Sequence, residues 1–201
     1  MMKTVASAIL FALCATAALA QGVSTMKGVS PSGNTIVISA VEIEGIGSNR
    51  LVLKGKAHVK SFDKTTKTTL DAAADKIVVL LLTATDASRN IIKSAELTGS
   101  PKIVYTSVDS STGKIVTTTA TSTTATYDGV QQIALLKGNV RIENENPALF
   151  EGPAVLTGDE ATINLKSSLG PEEVRFRIKS EPPGVSTIQA VPKSKEEAQK
   201  K

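Results

Sequence analysis

The chain has 201 residues, a formal charge of +4, 41% hydrophobic residues, 3% aromatics, no tryptophan, one cysteine and one histidine. A charge this close to neutral gives no footing for nucleic-acid binding. A lone cysteine and a lone histidine exclude a disulfide framework or a cysteine–histidine metal cluster.

Lys3, the apolar run Val5 to Ala17 and the small-x-small triplet Ala18-Leu19-Ala20 read as a cleavable export signal over 1–20, too short for a membrane span. A lipoprotein signal at Cys14 would need a small residue before it, and Leu13 is bulky. Residues 21–34 are small and polar and read as a flexible N-terminal segment. From 35 onward the chain is rich in Thr, Val, Ile and Ser with two-residue alternation, which predicts an all-β domain over 35–188. The last stretch, 189–201, reads as a charged disordered tail.

The predicted strands repeat. "LVLKGKAHV" (51–59), "AELTGSPKIVY" (95–105) and "ALLKGNVRI" (134–142) share a glycine, Gly55, Gly99 and Gly138, recurring roughly every 40 residues. Each is followed by a second alternating strand: "AAADKIVVLL" (72–81), "TTATYDGV" (123–130) and "LTGDEATINL" (156–165). "TIVISAVEIEG" (35–45) resembles a leading half-unit, and "EEVRFRIKS" (172–180) a closing strand.

Gly138-Asn139 alone suggests a two-residue hairpin turn. The repeat argues otherwise, because a turn there leaves a following strand of only three or four residues. Gly55, Gly99 and Gly138 therefore read as strand bends or bulges where the sheet curls over. A bulge would shift the facing of residues beyond it, which makes Val140 and Ile142 less firmly placed than Leu136.

Almost every strand has one apolar and one polar face, and such a sheet must cover its apolar face by folding on itself. The interior candidates are Ile36 and Ile38; Leu51, Leu53 and Val59; Ile77 and Val79; Ile103 and Tyr105; Leu136, Val140 and Ile142; and Ile163 and Leu165. The same pattern fits a closed core or a lipid-lined groove. Lys54, Lys56, Lys60, Lys137 and Arg141 lie on the polar face, as contacts for a lipid phosphate or as solvated charges. His58 reads as a lone surface histidine. Asp75 and Asp159 recur in register and read as turn or strand-start residues, not as an acid–base pair.

The order of these motifs, with Gly99-Ser100-Pro101 in the middle and "IVISA" leading, resembles the OstA-like family of lipopolysaccharide-transport proteins, which includes LptA and LptC. The resemblance covers roughly 34–188; Gly55-Lys56-Ala57 departs from its Gly-Asn-Val pattern, and "ENENPALFEGPAV" (143–155) has no close match. It implies a β-jellyroll bent like a taco shell, a periplasmic location, no enzymatic activity and no cofactor or metal. Members shield lipopolysaccharide acyl chains inside the shell. The implied partners are lipopolysaccharide or a related lipid, LptC-like and LptD-like components, and further copies joined end to end. The competing readings are an envelope β-solenoid scaffold with a dry interior, binding proteins through its open edges, and a β-helical carbohydrate-active enzyme.

Overall fold

The computed structural model describes residues 22–29, 33–82, 92–109, 112–166 and 174–193, so the 1–20 export-signal reading lies outside the described residues. Thirteen strands form the described structure: β1 (Ser24–Val29), β2 (Thr35–Ala40), β3 (Glu42–Ile46), β4 (Arg50–Asp63), β5 (Thr68–Leu81), β6 (Ile92–Thr98), β7 (Lys102–Val108), β8 (Ile115–Thr121), β9 (Thr124–Asp128), β10 (Ile133–Glu145), β11 (Ala154–Asn164), β12 (Phe176–Lys179) and β13 (Thr187–Gln189). Every pairing between them is antiparallel.

The long strands β4, β5, β10 and β11 each belong to two wings of one bent sheet. In the first wing the order is β1-β2-β4-β5-β7-β8-β10-β11-β13, using the C-terminal halves of β4 and β10. In the second it is β3-β4-β5-β6-β9-β10-β11-β12, using their N-terminal halves. One apolar cluster joins the wings, with Ile36, Val59 and Ile103 from the first meeting Ile77, Leu97 and Ile163 from the second. Apolar faces that would otherwise meet water thus cover each other, and alanine fills much of the interior where larger side chains would hold the wings apart.

A crease runs across the strands where the wings join. β10 passes through Gly138 without a turn, and its register with β11 slips between Lys137 and Val140, so Gly138 and Asn139 oppose Asp159 alone. Gly55 and Lys56 oppose Asp75 in the same way. Both residues of each pair have positive φ, 70° and 49° at Gly55-Lys56, and 77° and 48° at Gly138-Asn139. Two left-handed residues in succession turn the strand sharply, and a glycine at the first avoids the Cβ penalty there.

Gly99-Ser100 repeats this backbone, φ 80° and 53°, but here the strand divides: β6 stops at Thr98 and β7 starts at Lys102. The proline at 101 carries no N–H for the ladder, which separates this bend from the other two. The glycine carbonyls are satisfied across the crease by Val41 N–H (2.9 Å to Gly55), Asp75 N–H (3.1 Å to Gly99) and Thr123 N–H (2.8 Å to Gly138).

The bulges shift facing on the strands opposite the glycines, not on the strands that carry them. Val140 and Ile142 stay in phase with Leu136, whereas β11 turns Leu156 inward on one side of the crease and Ala161 on the other. Two residues facing one absorb the extra residue on the glycine strand. Asp75 and Asp159 are corrected by this geometry: both lie mid-strand at the crease, not at a turn or strand start.

The segment read as flexible over 21–34 instead contains β1, which pairs along its length with β2. Met26 in β1 packs against the core and ties the strand down. At the other end the ordered chain runs past 189: Phe150 bridges to Pro192, and Lys193 N–H donates to Leu149 C=O (3.0 Å). Residues 194–201 lie outside the described residues.

Candidate functional site

The space between the wings differs from end to end. Around β4–β6 it is closed. Val59, Leu70, Ala72, Ile77, Leu97 and Ile103 are among the mostly apolar residues enclosing only about 20 Å³ there, with Ser61 and Tyr127 beside them. A void of that size could hold one water at most. Further along, the wings part into a mouth of about 450 Å³. Its floor is Val116, Ile142, Leu156, Ile163, Leu165 and Phe176, and the 146–150 loop forms a wall through Asn146, Leu149 and Phe150. That loop lies in the stretch with no family match. Val108, Leu149 and Phe176, which line the mouth, are exposed apolar residues.

The fourteen interior candidates divide accordingly. Tyr105, Ile142, Ile163 and Leu165 line the mouth, the last three as buried members of the core and Tyr105 half-buried against it. Val59, Ile77 and Ile103 line the small closed cavity, which Leu165 also reaches. Ile36, Ile38, Leu53, Val79, Leu136 and Val140 are buried in the shared core, with Leu51 packed against it. Sequence reasoning missed Leu156, because alternation extrapolated from Ala161 and Ile163 across the crease points it outward. It also missed Val116, Asn144, Phe150, Arg175 and Phe176. Phe176, in a run already read as a strand, was the detectable signal.

Polar groups at the mouth are mostly engaged. Asn144 Nδ2 donates to Thr118 Oγ1 (2.8 Å), Ala148 N–H donates to Asn146 Oδ1 (3.0 Å), and Lys166 N–H donates to Asn164 Oδ1 (3.2 Å). Arg175 donates from Nη1 to the carbonyls of Asn164 (3.0 Å) and Lys166 (2.6 Å). Tyr105 Oη is buried, and Thr68 approaches it without completing a hydrogen bond. Burial raises the Tyr105 pKa, opposed by the nearby Arg175 charge. Tyr127 lies deeper, and burial pushes its hydroxyl up to about 12.

The outer faces hold the basic residues proposed for phosphate contact, and four of them face carboxylates. Lys54 reaches Glu44 (2.8 Å) and Glu42 (3.4 Å), Lys137 reaches Glu160 (3.6 Å), and Arg141 reaches Glu143 (2.6 Å). His58 is not alone: its Nε2 lies 2.6 Å from Asp71 Oδ1, and Lys60 is 3.8 Å from the same carboxylate. Exposed pairs like these tune the surface charge more than they stabilise the fold. Among the described residues no group of three or more His, Cys, Asp or Glu could hold a metal ion.

These features define a class: an all-β jellyroll, creased into two wings around an apolar interior that opens at one end. The solved structure of LptH from Pseudomonas aeruginosa, described as the LptA homologous periplasmic component of the lipopolysaccharide transport device, is similar to it. The match has a TM-score of 0.51 at 11% identity and covers 79% of this chain and 95% of that one. The chain therefore has the LptA-like jellyroll fold. No family model and no curated protein matches the sequence.

Proposed function

We propose that this protein is a periplasmic component of lipopolysaccharide transport that shelters lipid acyl chains between its wings, without catalysis. The observation that carries the reading is the 450 Å³ apolar-floored mouth at one end of an LptA-like jellyroll. Each methylene moved from water into such a site gains about 0.8 kcal/mol, so a dozen give on the order of 10 kcal/mol before the costs of ordering the chain.

Transfer to LptC-like and LptD-like partners, or to another copy, uses the wing ends. There β1 and β13 in one wing, and β3 and β12 in the other, each pair with a single neighbouring strand. An edge strand of this kind can extend its ladder onto another protein. The test is purification from the native envelope with mass spectrometry of bound lipid. The proposal expects lipid A-containing species. Their repeated absence, with no binding to added lipopolysaccharide, would sink it.

The closed end of the interior favours a second reading, a protein-binding scaffold that works through its edges alone. That protein would bind partners but return no lipid in the same preparation.

A further inference from the structure

The mouth combines apolar walls with two hydrogen-bond donors that the fold leaves with spare capacity. Among the described residues Arg175 donates only from Nη1, toward the carbonyls of Asn164 and Lys166, and its exposed Nε and Nη2 hydrogens face solvent, open to another acceptor. Those two carbonyls also hold the guanidinium at the rim. Tyr105 Oη is buried with no partner, a state that costs stability unless something else satisfies it. The two groups line the same space and sense each other electrostatically. Asp109, the acid that lines this rim among the described residues, accepts from Thr112 N–H (2.9 Å) within its own hairpin turn. The asparagines are tied to protein groups, as described above.

Volume limits what can enter. A 150 Å³ cavity holds one benzene ring, so 450 Å³ corresponds to about 18 carbon-sized atoms. That is one long acyl chain and not a bundle of several.

We infer that the mouth binds one acyl chain of an anionic amphiphile at a time, with Arg175 and Tyr105 together reading the carboxylate or phosphate at its head. The tail lies over Ile142, Leu156 and Phe176. Arg175 confers head selectivity, because a guanidinium N–H makes a charge-assisted pair with an oxyanion that is stronger than its hydrogen bond to a neutral sugar hydroxyl. This assignment rests on the lipid-shelter reading and adds the head chemistry and the number of chains per site.

Calorimetric titration of the full chain with dodecyl phosphate, dodecyl maltoside and inorganic phosphate, each detergent below its micelle concentration, tests it. Dodecyl phosphate should bind at one per chain and about tenfold or more tighter than the maltoside. Inorganic phosphate alone should not bind measurably. Arg175→Gln should bring dodecyl phosphate down to the maltoside level, and Arg175→Lys should recover part of the difference. Tyr105→Phe should weaken dodecyl phosphate several-fold while the melting temperature of the free protein holds or rises.

Equal binding of both detergents, unchanged by Arg175→Gln, would overturn the inference and leave the lipid-shelter reading standing. Several chains per protein would overturn the single-chain assignment, and inorganic phosphate binding as tightly as the detergent would overturn the role of the tail. Binding of neither detergent would remove the lipid-shelter reading itself. A Tyr105→Phe variant that shifts only the melting temperature makes the hydroxyl structural and removes it from the site.

Discussion

Replacing the crease glycines by alanine should destabilise the fold in an order set by what the new methyl group would meet. At Gly99 it would sit 2.3 Å from Asp75 Oδ2 and 2.5 Å from Asp75 Cβ; at Gly138, 2.6 Å from Thr123 Oγ1 and 2.9 Å from Thr123 Cβ. Both neighbours include a Cβ fixed to the backbone, Asp75 in β5 and Thr123 in the bend between β8 and β9, so the contact cannot be relieved by rotating a side chain. Gly55 is milder, with Val41 Cβ at 3.1 Å, and Gly152 has nothing within 4 Å.

The positive φ costs an alanine about 1–2 kcal/mol at Gly55, Gly99 and Gly138, and overpacking adds roughly 1–3 kcal/mol at the latter two. For a domain of this size, a total of about 2–5 kcal/mol lowers the melting temperature by roughly 4–20 °C. Thermal melts followed by far-ultraviolet circular dichroism should rank Gly99→Ala and Gly138→Ala lowest, Gly55→Ala between, and Gly152→Ala with the wild type. Adding Thr123→Gly to Gly138→Ala should return the packing share and leave the φ share. A Gly138→Ala protein melting with the wild type would refute the crease geometry.

Other outcomes follow from burial, titration and edges. Leu136 is 0% exposed, so Leu136→Ala should cost about 2–5 kcal/mol in urea denaturation; a loss near zero would show that the centre is not packed. The Tyr127 proton is held in the folded state up to about pH 12 and released near pH 10 when unfolded. Its contribution, on the order of 2–3 kcal/mol, is therefore whole below pH 10 and lost as pH rises toward 12. With two tyrosines and no tryptophan, tyrosinate absorbance reads this directly; Tyr127→Phe should flatten the alkaline fall in stability, and an unchanged fall would refute the assignment. The single-neighbour edge strands predict association that dissolves on dilution in size-exclusion chromatography; a monomer at every concentration would contradict the edge-to-edge proposal.

Much of this architecture was legible because strand period and burial agree. Leu51, Leu53, Ala57 and Val59 alternate with mostly polar neighbours, and the repeated glycines exposed a device that Gly138-Asn139 alone would have disguised as a hairpin. What stayed hidden depended on contacts between distant segments. β1 was missed because "STMKGV" offers few apolar residues, although Met26 suffices to anchor it. Leu156 was hidden by the facing shift opposite Gly138-Asn139. The His58–Asp71 pair requires the β4–β5 register, which places Lys60 directly across from Asp71 and His58 one diagonal away.

Core and groove could not be separated from alternation, since Leu53 and Ile142 share one pattern. The division depends on how far the wings part, and the loop after β10 and Arg175 frame that opening. The loop after β10 carries no alternation to read.

Site-specific photo-crosslinking in the native envelope tests the central claim most directly. A crosslinker at Ile142, on the mouth floor, should capture lipopolysaccharide or a related acylated lipid, while one at Leu53, in the closed core, should capture none. Lipid-free products at both positions would contradict the account, as would adducts at Leu53 without any at Ile142.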